Sequence, residues 1–176
     1  MNKTLSKEGI SAAIHEIYSP VRVNGVARRL GIIPGMSLDM TTEDHDGRPW
    51  DFNDPIMRFR AETIVREKKA MLIIGSPMCT AFSQLQNINF CKMSKEDVEK
   101  VLKYGRKHLH FCAHLYRLQM QNGLYFLHEH PASATSWKDP QIQQLLSKPE
   151  VNRIVSHMCA FGMKQQDEQG EGMIYK

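Results

Sequence analysis

No stretch of this 176-residue chain approaches the roughly 20 consecutive apolar residues that a membrane-spanning helix needs. The opening MNKTLSKEGISAAIHEIY has no apolar core of signal-peptide length either. Cysteine is scarce: Cys79, Cys91, Cys112 and Cys159 are widely spaced and form no CxxC pair, which argues against a disulfide scaffold. These absences predict reduced thiols in an intracellular, soluble protein with no membrane partner. An excess of charge of one sign is missing too. The 23 Lys/Arg and 19 Asp/Glu leave +4, which admits a polyanionic partner without demanding one. There is no internal repeat and no low-complexity linker. With 41% hydrophobic and 24% charged residues, the composition is that of a globular chain able to bury its own core, expected as one domain over residues 1–176.

Short apolar runs alternate with segments that carry helix start signals. Ser19-Pro20 predicts the opening of a helix through VRVNGVARRL, stopped at Gly31. IIPGMSLDM (32–40) reads as a weak strand leading to Asp39, and TTEDHDGRPWDF (41–52) as loop. Asp54-Pro55 opens a second helix to about Lys68, with Ile56, Phe59, Thr63 and Ile64 on one side. Ala70–Gly75 is a short buried strand. Ser94 with Asp97 resembles a capping box for the longest helix, whose apolar residues Val98, Val101, Leu102, Leu109, Cys112 and Tyr116 recur at helical spacing until Asn122-Gly123. LYFLHEHP (124–131) is the next strand, Asp139-Pro140 opens a short helix, and RIVSHMCAFG (153–162) reads as one more strand before a Gly- and Gln-rich tail. Strands separated by helices predict an α/β fold: a doubly wound, mostly parallel sheet with helices on both faces and the ligand at the carboxyl ends of the strands. Asp39, Cys79 and Glu129 each follow a predicted strand, so one crevice is expected to receive all three.

The stretch AMLIIGSPMCTAFSQLQ (70–86) sharpens that expectation. Its apolar run ends in a Ser-Pro-Met-Cys turn that leaves Cys79 among Ser76, Thr80 and Ser83. A thiol becomes a nucleophile when its thiolate is stabilised by a cation or a helix N-terminus. A carboxyl partly withdrawn from water, as is expected of Glu129 between His128 and His130, holds its proton and acts as a general acid. The pair suits attack on an electron-poor ring with protonation on its far side. It equally suits a hydrolase with His128 or His130 as base for Cys79. The plainer use of both residues, Cys79 filling a turn and Glu129 facing a surface cation, stays open. A metal centre is disfavoured: in KHLHFCAH, His108 and Cys112 fall on one helix face and His110 and His114 on another.

SPMCTAFSQLQ is similar to the nucleophile loop of the cytosine-C5 methyltransferases, which runs Pro-Pro-Cys-Gln-x-Phe-Ser; here Ser76, Pro77, Cys79, Phe82 and Ser83 match. FLHEHP puts Glu129 where that family has Glu-Asn-Val. EIYSP stands at the first strand and turn, and WDF (50–52) stands where the family has an Asp that reads adenine. The resemblance spans roughly residues 17–131 and extends to divergent members of the kind found in mobile-element and viral reading frames. It implies a class I, Rossmann-like fold and S-adenosylmethionine as cofactor, with Asp39 on its ribose, Asp51 on its adenine amine, Tyr18 and Phe52 flanking the ring, and Ser19 and Pro77 beside it. It further implies that Cys79 adds to C6 of cytosine while Glu129 assists at N3, with Ser76, Ser83 and His130 against the substrate base. The base must be flipped or single-stranded to be reached. DNA is expected before RNA, with Arg22, Arg28, Arg29, Lys68, Lys69, Arg106 and Lys107 as candidate phosphate contacts.

Three departures from the family pattern stand out. The glycine-rich first turn is replaced by Tyr18-Ser19-Pro20-Val21-Arg22, Met78 replaces the Pro before the nucleophile, and His130 replaces the Asn after the Glu. No target-recognition region follows the catalytic half, so a partner chain is expected to complete it, or the fold serves as a catalytically silent nucleic-acid-binding or regulatory module.

Overall fold

The computed structural model describes residues 11–167 and 170–173. Four of the short apolar runs form strands: β1 (Ala12–Ile17), β2 (Pro34–Leu38), β3 (Ala70–Gly75) and β4 (Tyr125–His128). They make one all-parallel sheet in the order β2-β1-β3-β4, and the connecting segments carry the helices, which defines an α/β protein. The chain steps outward from β1 to β2 and then returns past β1 to β3, so the strand order reverses between β1 and β3. In open parallel sheets that reversal is where ligands lie. Contacts group the chain into two units that meet in sequence at Leu145 and Leu146.

The helices of the first unit are α1 (Val23–Arg29), α2 (Pro55–Glu67), α3 (Gln84–Phe90), α4 (Lys95–Gln121) and α5 (Pro140–Leu146), the last ending at the boundary. Side chains alternate across a sheet, and this sorts the layers. Glu16 is in register with Ile74, and Ile17 with Gly75. The Glu16 carboxylate reaches the first turn of α1, whereas a Cβ on Gly75 would lie 2.0 Å from the hydroxyl oxygen of Tyr116 on α4. The two helices therefore cover opposite faces.

α1 begins later than Ser19-Pro20 predicts. Its cap position is Arg22, which offers no side-chain cap, and the Ser19 hydroxyl turns instead to Glu16 and the Pro20 carbonyl. The cap comes from the end of β1: Glu16, fully buried, accepts from the N–H groups of Arg22, Val23 and Asn24 and from the hydroxyls of Ser19 and Ser37. The neighbouring His15 accepts from Met36 N–H through Nδ1 and donates from Nε2 to the Lys68 carbonyl at 2.6 Å. Gly35 N–H goes to the Asn24 side chain. These side chains satisfy the β2 donors where the β1/β2 register shifts, between Ile14 and Glu16.

α2 starts as expected, with the Asp54 carboxylate accepting from Ile56 N–H and Pro55 in the first turn. Its inward stripe differs from the predicted one. Met57, Ala61 and Val65 are buried, while Ile56 and Phe59 are exposed and Thr63 and Ile64 are half-buried. The helix is rotated by its N-terminal anchors, since Arg58 donates back to the carbonyls of Phe52 and Asn53. In α4 the Ser94 cap accepts from Asp97 N–H at 3.1 Å, and Gly123, at φ +68°, follows the last turn. Burial of α4 begins only at Gly105; the upstream Val98, Val101 and Leu102 are half-exposed.

In the second unit the strand expected over 153–162 is not formed. Ile154 and Val155 stay exposed with no strand alongside, and Met158–Phe161 is a 3₁₀ turn. The Gly- and Gln-rich tail instead pairs: β5 (Lys164–Asp167) and β6 (Gly170–Met173) run antiparallel, with Lys164 opposite Met173. No helix among the described residues is long and apolar enough to cross a membrane.

Candidate functional site

The sheet's carboxyl edge is extended by one residue on three strands. Tyr18 N–H donates to the Leu38 carbonyl, Ser76 N–H to Ile17 and Glu129 N–H to Gly75. Tyr18, Ser76 and Glu129, with Asp39 directly after β2, therefore stand side by side. Tyr18 is the only described non-glycine residue with positive φ, +60°. The close-approach conformation that glycine would favour at this turn is thus adopted by a tyrosine, at a cost of about 1–3 kcal/mol that the surroundings must offset. Its phenol bonds His108 Nδ1 at 2.8 Å and its ring meets Phe52 edge-on at 4.7 Å. Burial raises the Tyr18 pKa far above its ordinary 10, so the hydroxyl keeps its proton and donates it to His108. His108 is itself buried; desolvation, aided by Lys107, lowers its pKa to about 4, and its Nε2 has no hydrogen-bond partner.

Past β3, Pro77 is buried and Cys79 caps a 3₁₀ turn, Thr80–Phe82, with Phe82 N–H returning to the Cys79 carbonyl at 2.9 Å. Ser83 then caps α3 by accepting from Leu85 N–H. The Cys79 thiol is free and half-buried, whereas Cys112 is fully buried. The turn rests on α4 at Gly105, where a Cβ would come within 2.6 Å of the Ala81 Cβ and 3.2 Å of the Phe82 ring. Gly105→Ala is accordingly expected to destabilise the protein by about 1–3 kcal/mol and to change the alkylation rate of Cys79. Urea unfolding and iodoacetamide kinetics on the same variant check both halves; an unchanged rate would mean that the turn does not depend on this contact.

The segment after β4 is locked onto this turn. His130, buried, donates from Nε2 to the Pro77 carbonyl at 2.9 Å and accepts the Ser136 hydroxyl on Nδ1 at 2.6 Å. Burial lowers its pKa, which keeps that neutral tautomer. Both ring nitrogens are committed, so His130 is not a base for Cys79 and does not face a substrate; it ties the Pro77–Cys79 turn to the segment that carries Glu129. His128 donates from Nδ1 to the Tyr116 hydroxyl, which in turn donates to the Gly75 carbonyl. Burial, with His130 alongside, lowers the His128 pKa to about 3 and leaves its Nε2 without a partner. Neither histidine pairs with the thiol, which removes the support for the hydrolase alternative.

The other expected positions divide. Asp39 accepts from the N–H and hydroxyl of Thr41 on Oδ1, and Asp51 accepts from Asn53 N–H, each a partly exposed carboxylate at a turn. Phe52 is not free to flank a ring. It is 2% exposed and packs against Tyr18, Trp50 and Phe111 in the core. Ser19 is buried on Glu16, and that carboxylate also holds the backbone N–H groups of the first turn of α1. Glu129 is exposed, not withdrawn from water. The histidines of KHLHFCAH go separate ways: His108 to Tyr18, His110 to Asp139, His114 to Glu62. The one metal-sized cluster among the described residues, Asp44-His45-Asp46, is held by Arg60 and Arg48. A crevice of about 390 Å³ lies between α1 and β2, and none of these site residues lines it.

Glu16, His108, Tyr116 and Ser136 were not legible as site residues. The available signal was a His-Glu pair inside the otherwise apolar strand AAIHEI, which a buried strand does not tolerate without partners. No family model, no curated protein and no solved structure matches this chain.

Proposed function

We propose that this chain acts on nucleic acid as an S-adenosylmethionine-dependent methyltransferase of the cytosine-C5 type, on a doubly wound sheet of the class I methyltransferase kind. The observation that carries the reading is the His130 bridge. It ties the Pro77–Cys79 turn to the residue following Glu129, so the two groups that must act on one pyrimidine come from turns joined at adjoining strands. Asp39 and Asp51, partly exposed carboxylates at turns, have the chemistry to accept from the ribose hydroxyls and adenine amine of the cofactor, and the left-handed Tyr18 suits a turn of close backbone approach. Phe52 does not fit the role of ring platform.

S-adenosylmethionine, when bound, supplies the electrophilic methyl group. The chain's own part is to make C5 nucleophilic. The Cys79 thiolate adds to C6, opening the C5–C6 double bond, while Glu129 delivers a proton to N3 and the electron pair is drawn toward C5. Once C5 carries its methyl, transfer of the C5 proton to solvent water and expulsion of the thiolate from C6 restore the ring, and N3 returns its proton to Glu129. A base stacked over the edge takes the exposed Glu129 out of water, which favours the proton-carrying form. In this reading Ser76 donates to the base, and Ser83 and His130 act through the turn. A duplex must release its cytosine into this edge, so DNA with a flipped or unpaired target is the expected substrate, with target choice supplied by a partner chain.

Incubation of the purified chain with methyl donor and cytosine-containing DNA or RNA, followed by nucleoside mass spectrometry, tests this. The wild type yields 5-methylcytosine, Cys79→Ser yields none, and Glu129→Gln falls by about a hundredfold. No product from wild type that binds the donor overturns the reading. A second reading, a catalytically silent nucleic-acid-binding module, is favoured by Glu16 holding the first-turn donors; it predicts no heat on calorimetric titration with S-adenosylmethionine.

A further inference from the structure

A parallel sheet is ordinarily covered on both faces, because its strands are apolar on both. Here one face is covered over half its width. Ile17, Gly75 and His128 are in register and look toward α4, where Phe126 stacks on Tyr116 at 4.6 Å. The alternate residues Leu72, Ile74, Tyr125 and Leu127 look the other way. On that face the chain places α1, tied to Glu16, Ser37 and Gly35 over β1 and β2. Over β3 and β4 no described helix of the first unit closes the layer: Tyr125 is 67% and Leu127 47% exposed, and Leu72 and Ile74 are only half-buried.

The flank of α1 continues this surface. At 100° per residue, Asn24 and Ala27 face the sheet, as their burial confirms. Gly25 and Arg28 fall on the side of β2, where they line the crevice with Pro34 and Gly35. Val23, Val26 and Leu30 fall on the opposite flank, toward β3, and are 37%, 43% and 68% exposed. A floor of sheet side chains and a wall of helix side chains make an apolar step. Neighbouring helices on a sheet lie about 10 Å apart, the width of two strands, so the step is shaped for one further helix over β3 and β4. Within the first unit, the segment following β4 does not supply it. That segment goes to α4, through Asp139 to His110 and Gln141 and Gln144 to Arg117.

We infer that this step, formed by Leu72, Ile74, Tyr125 and Leu127 against the Val23–Val26–Leu30 flank, docks an acidic amphipathic helix of a partner protein. The charge on the page selects that occupant. Arg22 precedes α1 and Arg29 ends it, α1 has no acidic residue, and neither arginine enters an ion pair among the described residues. A second copy of this chain would bring the same arginines to the rim. A nucleic-acid backbone would meet the arginines and leave the valines and leucines in water. A helix with apolar residues at i, i+3, i+4 and i+7 and carboxylates along one border satisfies both. The inference stands apart from the chemistry proposed for Cys79.

Selection of a displayed library of helical peptides of about 15 residues on the immobilised full chain, with anisotropy titration of the enriched peptides, tests it. Enriched peptides are expected to combine that apolar spacing with Asp or Glu. Leu127→Glu and Val26→Glu should each weaken them by roughly tenfold or more, and Arg22→Glu with Arg29→Glu by roughly fivefold. Phe59→Glu, an exposed apolar position on α2, should leave binding unchanged. All these positions are at least partly exposed, and a thermal melt of each variant confirms folding. Lack of enrichment, enriched peptides without acidic residues, or binding indifferent to Leu127→Glu overturns the inference. So does a chain that sediments as a dimer and dissociates on Leu127→Glu, or duplex DNA binding that is lost with the same substitution.

Discussion

Taking the protein from pH 7 to pH 5 is expected to lower its unfolding free energy by about 4 kcal/mol, about 2 kcal/mol from each of His108 and His128. Both are held neutral by burial, His108 with a pKa of about 4 and His128 with one of about 3, against an ordinary 6.5. Lys107 and Arg58 face His108 and lower it further, Asp51 opposes them, and His130 faces His128. The unfolded chain takes up these protons near pH 6.5 and the folded chain does not, so the stabilisation present above 6.5 drains away as pH falls toward the folded values. His15 and His130, also lowered chiefly by burial, add to the same slope. Urea unfolding at a series of pH values reads the effect, and His128→Gln should remove its share of the slope whatever it does to stability at pH 7. A curve flat between pH 7 and pH 5 would contradict the buried neutral histidines held by Tyr18 and Tyr116.

Glu16→Ala is expected to cost about 3 kcal/mol, or roughly 10 °C in Tm, because it strands three backbone N–H groups and two hydroxyls that now share one buried carboxylate. Burial alone would raise the Glu16 pKa. The N–H groups of Asn24 and Val23 and the hydroxyls of Ser37 and Ser19 together outweigh it and bring the carboxyl below its ordinary 4.5. Its contribution is therefore whole above about pH 4.5 and is lost as pH falls through the depressed folded value, overlapping the lower end of the histidine window. Glu16→Gln keeps one acceptor, so its loss should be smaller and its acid limb shallower. A Glu16→Ala variant as stable as wild type would mean that water replaces the carboxylate at no cost, and the capping account of α1 would fail.

The strand at 70–75, a strand within 124–131 (formed over 125–128) and the helices opened at Asp54, Ser94 and Asp139 were legible, because each is bounded by a local signal: a capping side chain, a Pro in the first turn, or a glycine at the end of the preceding element. What was not legible depended on partners far along the chain. Ser19 looked like a helix cap until Glu16 occupied the helix end from the neighbouring strand. Phe52 looked available to a ligand until Trp50, Phe111 and Tyr18 enclosed it. The α2 stripe was misread because Ile56 and Phe59 are the larger apolar residues, yet the small Ala61 lies on the side that packs. Residues 153–162 have β-branched character but no neighbouring strand. For the site, the order Cys79 then Glu129 was readable from the turns, whereas the bridge joining them needed His130 to meet a carbonyl 53 positions away.

The central claim is that the Cys79 sulfur attacks a pyrimidine ring at the sheet's carboxyl edge. An oligonucleotide carrying 5-fluorocytosine, incubated with the full chain and S-adenosylmethionine, reads it directly, since fluorine at C5 blocks the elimination that would free the enzyme. The account predicts a covalent protein–oligonucleotide species with the adduct mapped to Cys79 and absent from Cys79→Ser. A wild-type protein that binds both ligands and forms no adduct, or an adduct mapped to Cys91 or Cys159, would contradict it.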